Sequence, residues 1–260
     1  MCPTIAVNAP VGVMDSGVGG LSVLKHLARQ LPNEHFTYFA DSAHAPYGNK
    51  TATEIQQRCF EIAETLIAQG AKTLVVACNT ATAAAIGAMR QHYTLPIVGM
   101  EPAVKPAAAA SKNGIIGVLA TTGTLQSAQF AALLEHYGQQ VQVITQACIG
   151  LVECIEQGQL DTPHTQALLR QYCQPLMDAG ADTVVLGCTH YPFVRAHIQA
   201  IVGPAVTLID TGAAVAKRLH QVLAEKELLN TANEAGDFVF LTSGTQATQR
   251  VMHTLWNISA

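Results

Sequence analysis

Charge is scarce in this chain. Asp, Glu, Lys and Arg make up only 12% of its 260 residues, and the net charge is -4. No basic face is needed to account for the cations, so nucleic acid is not expected as a main partner. Aromatic residues reach only 5%. No uninterrupted apolar run approaches the roughly 20 residues of a membrane span. The first basic residue is Lys25, whereas a secretory leader needs a positive segment ahead of an apolar core. A soluble, cytoplasmic protein is expected. Seven cysteines are present, an odd number with no C-x-x-C pair, which argues against a disulfide framework. Most of these thiols are expected to fill buried space.

Hydrophobic residues, at 49%, supply ample material for a core. They come in a rhythm of short apolar runs, turns and longer amphipathic segments. The runs predict strands over Val11–Asp15, Phe36–Ala40, Thr73–Cys78, Ile97–Met100, Ile115–Ala120, Val141–Thr145, Thr183–Cys188, Val206–Asp210 and Phe238–Leu241. Thr51 with Glu54 reads as a capping box opening a helix that runs to about Gln69. Thr162-Pro163 reads as an N-cap followed by a first-turn proline. Strands alternating with helices predict an α/β protein with mostly parallel sheets.

Residues 70–78, GAKTLVVAC, recur as residues 180–188, GADTVVLGC, at an offset of 110. Gly12-Val13 and Gly117-Val118 open a second matched pair of segments. The repeat predicts two pseudo-symmetric α/β domains with a site at their interface. One comprises residues 1–97 plus a returning tail, 211–260; the other comprises residues 98–210.

The repeat ends on Cys78 in one unit and on Cys188 in the other. Both fall at carboxyl ends of predicted strands, where open α/β sheets bind ligands. Either cysteine alone reads as an ordinary buried thiol; matched positions in a repeat change that weighting. Two units facing each other would set the thiols across one cleft. That geometry suits inversion of a carbon centre, with a thiolate base on one face and a thiol acid on the other. Asn79 or Thr80 is expected to cap the helix over 81–92, whose positive end would lower a nearby thiol's pKa.

Asp15-Ser16-Gly17-Val18-Gly19-Gly20 forms a strand-to-helix turn that offers N–H groups and a hydroxyl to a carboxylate. Asp15 would meet an ammonium or assist a thiol, if it is not simply a helix-entry carboxylate. Tyr47, in the turn Pro46-Tyr47-Gly48, reads more readily as a half-buried loop aromatic than as a ligand. Thr121, Thr122 and Thr124 crowd the equivalent turn of the second unit and read as turn and cap residues. Gly17-x-Gly19 with Asp41 also suggests a dinucleotide fingerprint, but Ser22 stands where its last glycine belongs. Cys78, Cys188 and His190 are possible zinc ligands, though structural zinc usually has closer pairs and four ligands. A binding protein of the same fold without activity is a further reading.

DSGVGGLSVL (15–24), PYGNK (46–50), ACNTAT (77–82), ATTGT (120–124), GLVE (150–153) and LGCTHYP (186–192) resemble, in that order, the glutamate racemases. The resemblance covers most of the chain. It implies interconversion of L- and D-glutamate without metal, nucleotide or pyridoxal phosphate, supplying D-glutamate for peptidoglycan. The two domains would hold the substrate between them. It assigns the D-enantiomer's proton to Cys78 and the L-enantiomer's to Cys188. Ser16, Tyr47 and Gly48 match positions holding the side-chain carboxylate; Asn79, Thr80 and Thr189 match those holding the α-carboxylate. Thr121 joins the substrate-binding set. Asp15, Glu153 and His190 match groups that tune the thiols. A related aspartate racemase is the nearest alternative, but such relatives tend to carry glutamate at the position of His190. A homodimer is the guess for assembly.

Overall fold

The computed structural model describes residues 6–258; Cys2 lies outside them. The first stretch runs β1 (Val11–Asp15), α1 (Leu21–Gln30), β2 (Phe36–Ala40), α2 (Ala52–Ala68), β3 (Thr73–Val76), α3 (Asn79–His92) and β4 (Ile97–Val98). The second runs α4 (Val104–Ala110), β5 (Ile115–Ala120), α5 (Thr122–Leu125), α6 (Ala128–Tyr137), β6 (Gln142–Ala147), α7 (Leu151–Glu156), α8 (Pro163–Asp178), β7 (Thr183–Leu186), α9 (Arg195–Val202) and β8 (Thr207–Ile209). The tail adds α10 (Gly212–Glu225), β9 (Phe238–Thr242) and α11 (Gln246–Asn257). Among the described residues, no helix is long and apolar enough to cross a membrane.

The strands form two sheets, in the orders β4-β3-β1-β2-β9 and β6-β5-β7-β8. Every pairing is parallel. β3 and β7 are buried along their whole length, as expected of strands covered by helices on both faces. The tail comes back to the first sheet: β9 pairs with β2, and α10 packs on α1. The largest hydrophobic core joins the two lobes, since Leu24 and Phe36 belong to one cluster with Leu151, Tyr191, Ile198 and Leu219.

Thr51 and Glu54 form the capping box: Thr51 Oγ1 accepts the Glu54 N–H at 3.3 Å, and Glu54 Oε2 accepts the Thr51 N–H at 2.8 Å. Thr162 caps α8, with Pro163 at its start. Several strands are shorter than the apolar runs suggest. β4 ends at Val98 rather than Met100, and β8 spans only Thr207–Ile209. β6 is shifted, to Gln142–Ala147. β3 and β7 stop two residues before their cysteines. Each makes one more matched bond, Ala77 N–H to Met14 O and Gly187 N–H to Leu119 O, both 2.7 Å. The chain then turns, and pairing ends because the next residues enter the loop at the sheet's carboxyl edge.

Candidate active site

Cys78 itself caps α3. Its Sγ accepts the Ala81 N–H at 3.4 Å, and the helix begins at Asn79. Neither Asn79 nor Thr80 is the cap, because the strand ends early enough for the cysteine to take the extended capping position. The thiol also donates to Ser16 Oγ at 3.6 Å. Burial pushes the Cys78 thiol well above its usual range, and the neighbouring Asp15 carboxylate adds to this. The helix N-terminus works in the opposite direction but does not overcome burial.

Asp15 is also buried. Its Oδ2 accepts the Gly20 N–H at 2.8 Å and the Gly17 N–H at 3.3 Å, whereas its Oδ1 has no partner. Burial raises this carboxyl to about 6, against the opposing pull of the His190 charge.

Across the lobe boundary, Cys188 Sγ lies 3.6 Å from His190 Nδ1. The other ring nitrogen, Nε2, lies 2.6 Å from Glu156 Oε1. Burial works against charging this imidazole. The hydrogen bonds to Cys188 and Glu156 outweigh it and hold His190 well above its ordinary range. The same Glu156 oxygen accepts the Val18 N–H at 2.6 Å, and Oε2 accepts from Ser42 Oγ at 2.7 Å. Ser22 Oγ donates to Thr189 O at 2.7 Å. Glu156 and Thr189 lie on the second lobe, and Val18, Ser22 and Ser42 on the first, so this side of the cleft is stitched by direct polar bonds.

The glycines of the 15–20 turn allow the approach. A Cβ on Gly17 would overlap the Glu156 carboxylate, and one on Gly19 would overlap the His190 ring. A turn covered in this way has no room for a pyrophosphate. Asp41, the other half of the dinucleotide reading, is engaged elsewhere. Arg58 holds its two oxygens at 2.8 and 2.9 Å, and Tyr47, His44 and Ser243 also bond to it.

Ser16, Tyr47, Gly48, Cys78, Asn79, Thr80, Thr121, Cys188, Thr189 and His190 all line one narrow, nearly closed cleft between the lobes, with an interior of only about 10 Å³, about the space of one water molecule. Tyr47 is buried rather than half-buried, and its hydroxyl donates to Asp41 Oδ2 at 2.6 Å. Both polar atoms of the Asn79 amide are buried in the cleft wall without a partner, an arrangement that ordinarily signals a missing ligand. Thr121 caps α5 by accepting the Thr124 N–H.

Glu153 is not among the residues that line this cleft, and among the described residues the bonds at the two thiols come from Ser16, Ala81 and His190. It lies at an adjoining mouth with Asn49, Thr122, Cys148 and Ile149, and Glu156 occupies the place beside His190. The two glutamates are three residues apart on α7, and the matched segment ends at Glu153. Sequence spacing offers no choice between two carboxylates on neighbouring positions of one helix. Ser42 and Ser22 were likewise not singled out as site residues; only the cross-lobe pairing reveals them.

The Asp/Glu/hydantoin racemase family model matches residues 11–219. Glutamate racemase of Ectopseudomonas mendocina is 56% identical over 249 residues, 95% of each chain. Among solved structures, glutamate racemase isoform RacE1 of Bacillus anthracis superposes with TM-score 0.85 at 35% identity, covering 95% of this chain and 93% of its own. A Francisella tularensis glutamate racemase in complex with D-glutamate gives TM-score 0.82 at 30% identity, covering 97% and 95%.

Proposed function

We propose, from the premise that this chain belongs to the Asp/Glu/hydantoin racemase family, that it is a glutamate racemase. It interconverts L- and D-glutamate by two-base chemistry at Cys78 and Cys188, and so supplies D-glutamate for peptidoglycan in the cytoplasm. The observation that carries this reading is the pair of sulfurs, contributed by matched strand ends of opposite lobes, on the wall of one narrow cleft between them.

Starting from L-glutamate, the Cys188 sulfur takes the α-proton with His190 as its immediate partner. Cys78, kept protonated by burial, returns a proton to the opposite face. From D-glutamate the roles exchange. The α-hydrogen is a weak acid, so the developing negative charge needs donors already in place in a water-poor site. The cationic His190 and the unpartnered Asn79 amide are the groups suited to that work. Ser16, Tyr47 and Gly48 form the wall for the side-chain carboxylate. Asn79, Thr80, Thr121 and Thr189 form the wall for the α-carboxylate. Asp15, with one free oxygen beside Cys78, serves as the polar partner on that side. In this role Glu156 replaces Glu153, because it alone of the two bonds His190.

The test is circular dichroism of L-glutamate incubated with pure protein and no added cofactor. The signal is expected to decay to zero, because the two enantiomers have equal free energy. A signal that persists would overturn the reading. Cys78→Ser and Cys188→Ser are each expected to abolish the decay; wild-type rates from either would overturn the two-base assignment.

A further inference from the structure

Three threonine hydroxyls form a closed triangle across the lobe boundary. Thr80 Oγ1 lies 2.9 Å from Thr121 Oγ1 and 3.0 Å from Thr124 Oγ1, and Thr121 Oγ1 lies 3.0 Å from Thr124 Oγ1. Thr80 opens α3 in the first lobe; Thr121 and Thr124 belong to the turn after β5 in the second. Thr80 and Thr121 line the cleft. Thr124 does not, and it is only 1% exposed. Its hydroxyl therefore touches the site solely through the other two.

Each hydroxyl has a single hydrogen, so three hydrogens serve three sides. One consistent circuit runs Thr121 to Thr124, Thr124 to Thr80 and Thr80 to Thr121. Thr121 Oγ1 also accepts the Thr124 N–H at 3.3 Å, which fills its acceptor capacity. With the circuit closed, no hydroxyl hydrogen is left to offer the cleft. A carboxylate entering beside the free Asn79 amide must open one side. The Thr80–Thr121 side is the one whose two members both face the cleft. Once it opens, Thr121 donates to Thr124, Thr124 to Thr80, and Thr80 to the carboxylate. The ring becomes a chain in which every link points at the anion, and successive links polarise one another.

We propose that Thr124 is a positioning residue for the substrate's α-carboxylate. Its buried hydroxyl keeps Thr80 supplied with a donor and gives Thr121 an acceptor, so that Thr80 can turn its own hydrogen to the ligand. This rests on the racemase reading above. It adds a residue that no contact with the substrate would reveal, and it makes the cross-lobe triangle a latch that the ligand replaces.

The experiment compares wild type, Thr124→Val and Thr124→Ser for racemisation of both enantiomers, together with thermal melting. Valine keeps the shape and removes the hydroxyl, whereas serine keeps the hydroxyl. Thr124→Val is expected to raise KM for both enantiomers about five- to tenfold, the worth of one or two neutral hydrogen bonds. Its kcat should stay within about twofold, and Thr124→Ser should restore KM. A merely structural role would lower the melting temperature without this split of KM from kcat. Should Thr124→Val not fold, Thr124→Ala takes its place with the same expectation. An active wild type combined with a folded variant of unchanged KM overturns the role of Thr124 alone. A wild type inert toward glutamate overturns the racemase reading and this role with it.

Discussion

Replacing Glu156 by glutamine changes the charge at the lobe boundary while keeping the shape. The amide oxygen can still accept from Val18 N–H and His190 Nε2, both at 2.6 Å in the native contacts, and the amide nitrogen can donate to Ser42 Oγ. What is lost is the negative charge that helps hold His190 protonated. A hydrogen bond to a charged partner contributes about 1.5–3 kcal/mol, against about 1 kcal/mol for a neutral one. The difference of about 0.5–2 kcal/mol corresponds to a fall of about 2- to 30-fold in kcat/KM. Because L- and D-glutamate are mirror images of equal free energy, kcat/KM must fall equally in the two directions. The assay is circular dichroism from each enantiomer, with thermal melting to show that the fold is retained. Glu153→Gln is the matched control and should stay within about twofold, since that side chain sits at the mouth. Wild-type kcat/KM in Glu156→Gln, or a larger loss in Glu153→Gln, would show that the Glu156 charge does not support His190 in turnover.

Asp15 should govern the acid side of the pH profile. Burial raises its carboxyl to about 6, so it is ionised above that pH and protonated below. The kcat/KM of the wild type should decline as pH falls through about 6, and Asp15→Asn should flatten that limb. The sign for stability is opposite. The folded state binds this proton more tightly than the unfolded chain, so the stability contributed by Asp15 rises as pH falls from about 6 toward about 4. Urea melts of wild type and Asp15→Asn at the two pH values check this. Gly17→Ala should lower kcat/KM at least about tenfold by driving the Glu156 carboxylate off Val18 and His190. Combined with Glu156→Gln, its effect should be much less than additive in a double-mutant cycle. Thr51→Ala, far from the cleft, should cost about 1 kcal/mol through loss of the α2 cap. It should lower the melting temperature by about 2–4 °C and leave kinetics unchanged.

The α/β class, the parallel strands and the cleft-lining positions of both cysteines were legible because each leaves a local mark. Buried strands read as apolar runs, Thr51 and Glu54 as a cap, and the repeat announces itself in GAKTLVVAC and GADTVVLGC. Strand ends were less legible, since an apolar run does not say where pairing stops. The run into Cys78 continues through Ala77, yet the chain has already turned to let the cysteine cap α3. The partners of His190 were the hardest part. Glu156 meets it from another element, together with Val18 and Ser42, which are more than 100 residues away from Glu156 in sequence. Tyr47 illustrates the same difficulty, because its hydroxyl bonds Asp41 in a cluster that Arg58 joins from α2.

The chain passes between the lobes twice, once after β4 and once between β8 and α10, since the second sheet is threaded into the connection that leads to β9. A body joined to another at a single place can swivel in any direction. Joined at two places, it can only turn about the line through them, as a door turns on its pair of pins. Gly99–Ala103 and Asp210-Thr211 are the two connections, and they border a common recess that neither Cys78 nor Cys188 lines. Any parting of the lobes to admit a substrate would therefore be confined to one angular coordinate, and it would change the separation of the two sulfurs along a single arc.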